Sequence, residues 1–137
     1  TAQPYTKPIR RKPRDLEHQD QVKVIQWAEQ NLDRWNGVLA YMFAIPNAGK
    51  RSKRMGAYMV AEGLKAGAPD IFLPVARTIY HGLFVEMKAK RGRTSDKQDD
   101  FLTEMRNQGY RTAVCHSAAE AISWIELYPD GKLPLDK

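Results

Sequence analysis

The spacing of apolar residues changes several times along the chain, and each change marks an element. Over residues 15–32 the apolar positions Val22, Ile25, Ala28 and Leu32 fall on one helical stripe. Asn36-Gly37 breaks that pattern. The apolar run over residues 38–45 then reads as a strand, closed by Pro46-Asn47. Residues 48–64 pass from a basic stretch into a short helix, with Met55 and Met59 four apart. Gly63 and Gly67 bracket a loop that feeds a strand over residues 70–75. Residues 77–81 turn the chain into the next strand, 82–88. Ser95 and Gln98 have the spacing of a capping box for a helix that runs to about residue 108, where Gly109 stops it. Residues 110–115 form a further strand. Ser117 with Glu120 repeats the capping pattern for a last helix to about residue 127, ended by Pro129. The order α-β-α-β-β-α-β-α predicts an α/β fold, a small mixed sheet with helices on both faces.

Polar residues placed inside or at the ends of these apolar runs carry the candidate chemistry. Asp70 follows Pro69 and opens Ile71-Phe72-Leu73, whereas Glu86 and Lys88 continue Leu83-Phe84-Val85. Side chains alternate across a strand, so Glu86 and Lys88 share a face that excludes Val85 and Met87. If the two strands are neighbours, both carboxylates and the lysine converge. Taken singly, each reads as a turn aspartate or half of an exposed ion pair. Together they are the minimum equipment for metal-dependent phosphodiester hydrolysis: carboxylates hold a hard cation through oxygen, and a lysine adds charge or a proton beside it. Gln98 lies three, four and seven residues before Phe101, Leu102 and Met105, so it projects from the inward side of its helix. It caps that helix or reaches the Glu86–Lys88 site. Glu17 and Gln21 extend the line of Ile25, Ala28 and Leu32. Glu17 is therefore a helix-start acid or a third carboxylate at the metal, direct or through water.

Charge gives this site a partner. The 137 residues, enough for one domain, carry 22 Lys plus Arg against 16 Asp plus Glu, a formal charge of +6. The excess is clustered. Lys50, Arg51, Lys53 and Arg54 form one group, and Lys90, Arg91 and Arg93 another directly after the Glu86 strand. Clusters on both sides of a candidate metal site read as phosphate clamps, and Asn47 in the turn before the first can touch a backbone phosphate. The expected substrate is nucleic acid rather than a small molecule. One cysteine, Cys115, excludes an internal disulfide and a cysteine-rich zinc site. His18, His81 and His116 lack ligand spacing, and Trp27, Trp35 and Trp124 read as core. No apolar run reaches membrane-span length and no leader pattern stands out, so a cytoplasmic setting is expected. Residues 1–14, rich in Pro and basic residues, read as an arm. Residues 15–128 are the domain, and residues 129–137 a tail.

Several of these stretches resemble one family. Ile45-Pro46-Asn47-Ala48-Gly49, the run from Glu62 through Gly67-Ala68-Pro69-Asp70, Phe84-Val85-Glu86-Met87-Lys88, Gln98, Gly109-Tyr110 and Ser117 are similar to the VRR-NUC nucleases of the PD-(D/E)XK superfamily. The resemblance spans about residues 16–127. It implies a restriction-endonuclease-like mixed sheet flanked by helices, and a nuclease that uses Mg²⁺ or Mn²⁺ on DNA. It also implies metal ligation by Asp70, Glu86 and the backbone carbonyl of Met87, with Lys88 as the catalytic lysine. Glu17 and Gln98 match the family's helix-one glutamate and its glutamine after the ExK strand. Stand-alone members of this size are typical of phages and prophages and resemble dimeric resolvases of four-way junctions. A structure-selective endonuclease on branched DNA, working as a homodimer in replication, recombination or repair, is therefore expected. A sequence-specific or nonspecific endonuclease and a non-catalytic DNA-binding module are the alternatives.

Overall fold

Leu83-Phe84-Val85-Glu86-Met87 is buried at every position, and the sheet forms around it. In the computed structural model, which describes residues 4–5, 12–47 and 52–136, this stretch is the inner strand β3 (Leu83–Met87). The elements before it are α1 (Pro13–Gln30), a 3-10 segment (Trp35–Tyr41), β1 (Phe43–Ala44), α2 (Lys53–Ala61) and β2 (Ile71–Leu73). After it come α3 (Asp96–Asn107), β4 (Arg111–Cys115) and α4 (Ala118–Leu127). The strands lie in the order β1-β2-β3-β4. β1–β2 and β2–β3 are antiparallel and β3–β4 is parallel, so the sheet is mixed, as expected.

Strand alternation divides the molecule into two layers. Ile71, Leu73, Leu83, Val85, Met87, Ala113 and Cys115 face the main core, where Val24 and Ala28 of α1 and Ala121 and Ile125 of α4 cover them. Phe72, Phe84 and Glu86 face the other way, toward α3. Phe72 stacks on Phe84 at 4.3 Å, and Phe84 meets the edges of Phe101 and Tyr110 at 6.2 and 5.3 Å. This aromatic layer fills the α3 face of the sheet up to the point where Glu86 begins. Burial pushes the Cys115 thiol up to about 12, which suits its place as an inert apolar residue.

Five expectations are corrected. The run over residues 38–45 is mostly a 3-10 segment, and only Phe43–Ala44 join the sheet. Asn36 and Gly37 adopt positive φ of 57° and 78°, which folds the chain back so that Leu39, not an alternating row, is buried. α1 begins at Pro13, inside the stretch read as an arm, and its buried stripe is Val24 and Ala28; Val22 and Leu32 are about two-fifths exposed. The strand expected over residues 70–75 is three residues, Ile71–Leu73. Glu120 accepts from the backbone N–H of His116 rather than of Ser117, so α4 has a Ser117 cap without the reciprocal half of the box. The polar tail docks. Leu133 packs on the core, and Asp136 pairs with the buried Arg111 at 3.0 Å. The Asp136 backbone N–H also donates to the Tyr80 hydroxyl. Most of the basic arm, and Lys50 and Arg51, lie outside the described residues.

Candidate active site

Register brings the two carboxylates together. The last ladder pair between β2 and β3 is Ile71 with Val85, so the next residues, Asp70 and Glu86, stand opposite each other. Asp70 is locked there by three bonds. Its N–H donates to Val85, its carbonyl accepts from Ile45, and its Oδ2 accepts from the Met87 N–H at 2.7 Å. Pro69 before it is fully buried and has no N–H to satisfy. Lys88 lies on the Glu86 side of the strand as alternation requires, with Nζ 3.6 Å from Glu86 Oε1.

Gln98 joins this group through its helix cap. Ser95 Oγ accepts from the Gln98 N–H, and Gln98 Oε1 accepts from the Ser95 N–H at 2.8 Å. The other end of the same amide, Nε2, donates to Glu86 Oε1 at 2.8 Å. Capping and reaching the site, posed as alternatives by the sequence, are two ends of one side chain. Gly67 sets the distance between the Asp70 strand and this helix. At φ +87° it lies so close to α3 that an added Cβ would stand 2.5 Å from the Lys97 carbonyl oxygen. Glu17 arrives from α1, its Oε1 accepting from the Ala89 N–H at 3.1 Å just beyond Lys88.

The electrostatics of this group call for a cation. Glu86 is 2% exposed. Its Oε1 takes both Gln98 and Lys88, while Oε2 is buried with no hydrogen-bond partner among the described residues. Burial and the facing Asp70 carboxylate push Glu86 up to about 8. Burial, then the nearby Glu17 charge, also raises Asp70 against the lowering effect of the Met87 N–H. Two facing carboxylates that resist ionisation, one with an orphan oxygen, fit a hard divalent ion bound through oxygen. Among the described residues, no group of three His, Cys, Asp or Glu side chains forms a closed metal set. Asp70 and Glu86 are the facing carboxylates that could hold such an ion.

The remaining predicted residues lie around this centre. Lys90, Arg91 and Arg93 are on the loop directly after Lys88. That loop is tied down by a contact of 3.0 Å between His116 Nε2 and the Gly92 carbonyl. Sequence reasoning gave His116 no role, and a lone histidine at a strand end carries no local signal. Lys53 and Arg54 are exposed in the first turn of α2, and Asn47 is exposed near the end of β1. Among the described residues, no helix is long and apolar enough to cross a membrane. The aromatic layer beside Glu86 also went unread. Its sign was the alternation Phe84, Glu86, Lys88 on one face.

The VRR-NUC domain family profile matches residues 11–119, the span that contains every one of these groups. A solved structure described as a VRR_NUC domain protein superposes with a TM-score of 0.70 at 25% sequence identity, covering 83% of this chain and 88% of its own. No curated protein matches. Most of the chain fits one family profile, and the fold is shared with a structure of that description. The protein belongs to the VRR-NUC family, a nuclease family of the PD-(D/E)XK superfamily.

Proposed function

We propose that this protein is a divalent-metal-dependent endonuclease that hydrolyses phosphodiesters in branched DNA. The observation that carries the reading is the unsatisfied Glu86 Oε2 facing Asp70, with Lys88 and Gln98 on the other oxygen. Asp70 and Glu86 would hold the cation, with the Met87 carbonyl as a third oxygen and Glu17 acting directly or through water. When bound, Mg²⁺ or Mn²⁺ supplies positive charge against the phosphate and acidifies water.

The chain's own residues do the rest. Gln98 fixes the Glu86 carboxylate in one orientation. Lys88, whose side chain is largely buried at 13% exposure, holds its Nζ beside Glu86. From there it orients the attacking water or stabilises charge developing on the phosphate. Lys90, Arg91 and Arg93 on the loop after β3, and Lys53, Arg54 and Asn47 around the start of α2, hold the DNA backbone. A homodimer would set two such sites at a fixed separation, the arrangement needed to cut a four-way junction symmetrically.

The test is a panel of linear duplex, flap and four-way junction DNA in Mg²⁺ and in Mn²⁺, with a chelator control. Preferred cutting of a branched substrate, abolished by chelator, supports the proposal. Equal cutting of linear duplex points to a nonspecific enzyme, and site-specific cutting of linear duplex to a sequence-specific one. Binding without cutting in either metal points to a DNA-binding module. Light scattering with and without junction DNA tests the dimer.

A further inference from the structure

The apolar cleft beside Asp70 is not used by the site described above. It measures about 410 Å³, within the roughly 300–1,000 Å³ range of small-ligand sites. Ile45, Met59, Leu64 and Phe101 supply most of its apolar wall, and Glu62 and Lys65 are its charged residues. It exists because α2 stands off from the sheet: the helix has no buried residue, and Tyr58 and Val60 are more than half exposed.

Two connections join the cleft to the catalytic group. The Ile45 N–H donates to the Asp70 carbonyl at 2.8 Å. Phe101 lies three residues after Gln98 on α3, about 4.5 Å of helix rise. Both connections set the cleft beside the residues where a phosphate would meet Glu86 and Lys88. Glu62 and Lys65 balance each other in the lining, and the positive charge beside the cleft comes from Lys53 and Arg54, which begin the helix that walls it.

We propose that this cleft takes a nucleobase that has left the stack, next to the scissile phosphate. The inference rests on the nuclease reading and adds the feature by which a branch is recognised. An aromatic and aliphatic wall accepts any base by its face, and Glu62 and Lys65 offer an acceptor and a donor for its edge. A continuous duplex presents no such base, whereas a flap or junction does.

The experiment places 2-aminopurine at successive nucleotides through the branch of a flap and through a matched linear duplex, with Ca²⁺ in place of Mg²⁺ so that bound DNA stays intact. The expected result is an emission change on binding at one nucleotide beside the mapped cut, lost in Met59→Trp, which fills the cleft. An abasic nucleotide at that position, which leaves the protein untouched, should lower kcat/KM by about tenfold. A response in the flap alone means that the site takes a base already unpaired. An equal response in the duplex overturns the cleft as the feature by which a branch is recognised. Cutting with no responding nucleotide, and equal rates on abasic DNA, overturns the base site and leaves the nuclease reading standing. A response without cutting in Mg²⁺ or Mn²⁺ keeps the base site and sinks the nuclease reading.

Discussion

Gln98 shows how one side chain can serve both a helix cap and the carboxylate beside it. The Gln98 amide caps α3 with its oxygen and holds Glu86 with its nitrogen. Gln98→Glu separates these jobs, because glutamate also serves at this position of a capping box. Helix content should stay as it is, while a carboxylate now faces Glu86 Oε1. Divalent-cation affinity, read by calorimetry, should fall roughly 10- to 100-fold. Unchanged affinity would make Gln98 a cap and nothing more. Glu86 also makes stability depend on pH. Burial and the facing Asp70 carboxylate raise its carboxyl from the ordinary 4.5 of the unfolded chain to about 8 in the fold. Between those values the folded state holds more protons, so stability is full below the lower one and falls as pH rises through the upper one. The metal-free protein should melt at lower temperature at about pH 8 than at about pH 5, and Glu86→Gln should flatten that slope. Ca²⁺ should raise Tm more at the higher pH, because it favours the ionised pair.

Among the elements, the sequence was most legible where a local signal was strong. The Ser95–Gln98 box located the start of α3, and the apolar run around Val85 located β3. Alternation along that strand put Glu86 and Lys88 on one face. The misread elements lacked such signals. An apolar run of eight residues fits strand and helical turns alike, and positive φ at Asn36 and Gly37 decided the matter. The α1 stripe was misphased because its apolar positions are spread around the helix, and tertiary contact alone selects Val24 and Ala28. Gly67 is where the packing of elements sets the site. Gly67→Ala adds a clash with α3 to an unfavourable φ and should cost about 2–4 kcal/mol in denaturant unfolding. Gly63→Ala is the control, with φ +109° but nothing within 4 Å, and should cost about 1 kcal/mol. Equal losses would mean that Gly67 matters only for its backbone angle.

For the molecule as a whole, the tail and the charge distribution were legible to different degrees. The docking of Asp136 on Arg111 joins residues 25 apart in sequence by a pairing that no local pattern announces. The basic clusters were plain in the sequence, and the fold places one of them on the loop tied to His116, directly after Lys88. Replacing Lys90, Arg91 and Arg93 together by Gln should weaken DNA binding evenly across sequences. It should also reduce the slope of log K against log salt by about 0.9 for each phosphate no longer neutralised. An unchanged slope would move the DNA path elsewhere. Everything said of function depends on the Asp70–Glu86 pair being a metal-dependent catalytic centre and not a feature of folding alone. The most direct test is single-turnover cleavage of branched DNA in Mg²⁺ by the wild type and by Glu86→Gln, with DNA binding measured on the same samples. Binding should stay within about twofold of wild type while cleavage drops by at least about a hundredfold. Cleavage by Glu86→Gln at the wild-type rate would contradict that assignment.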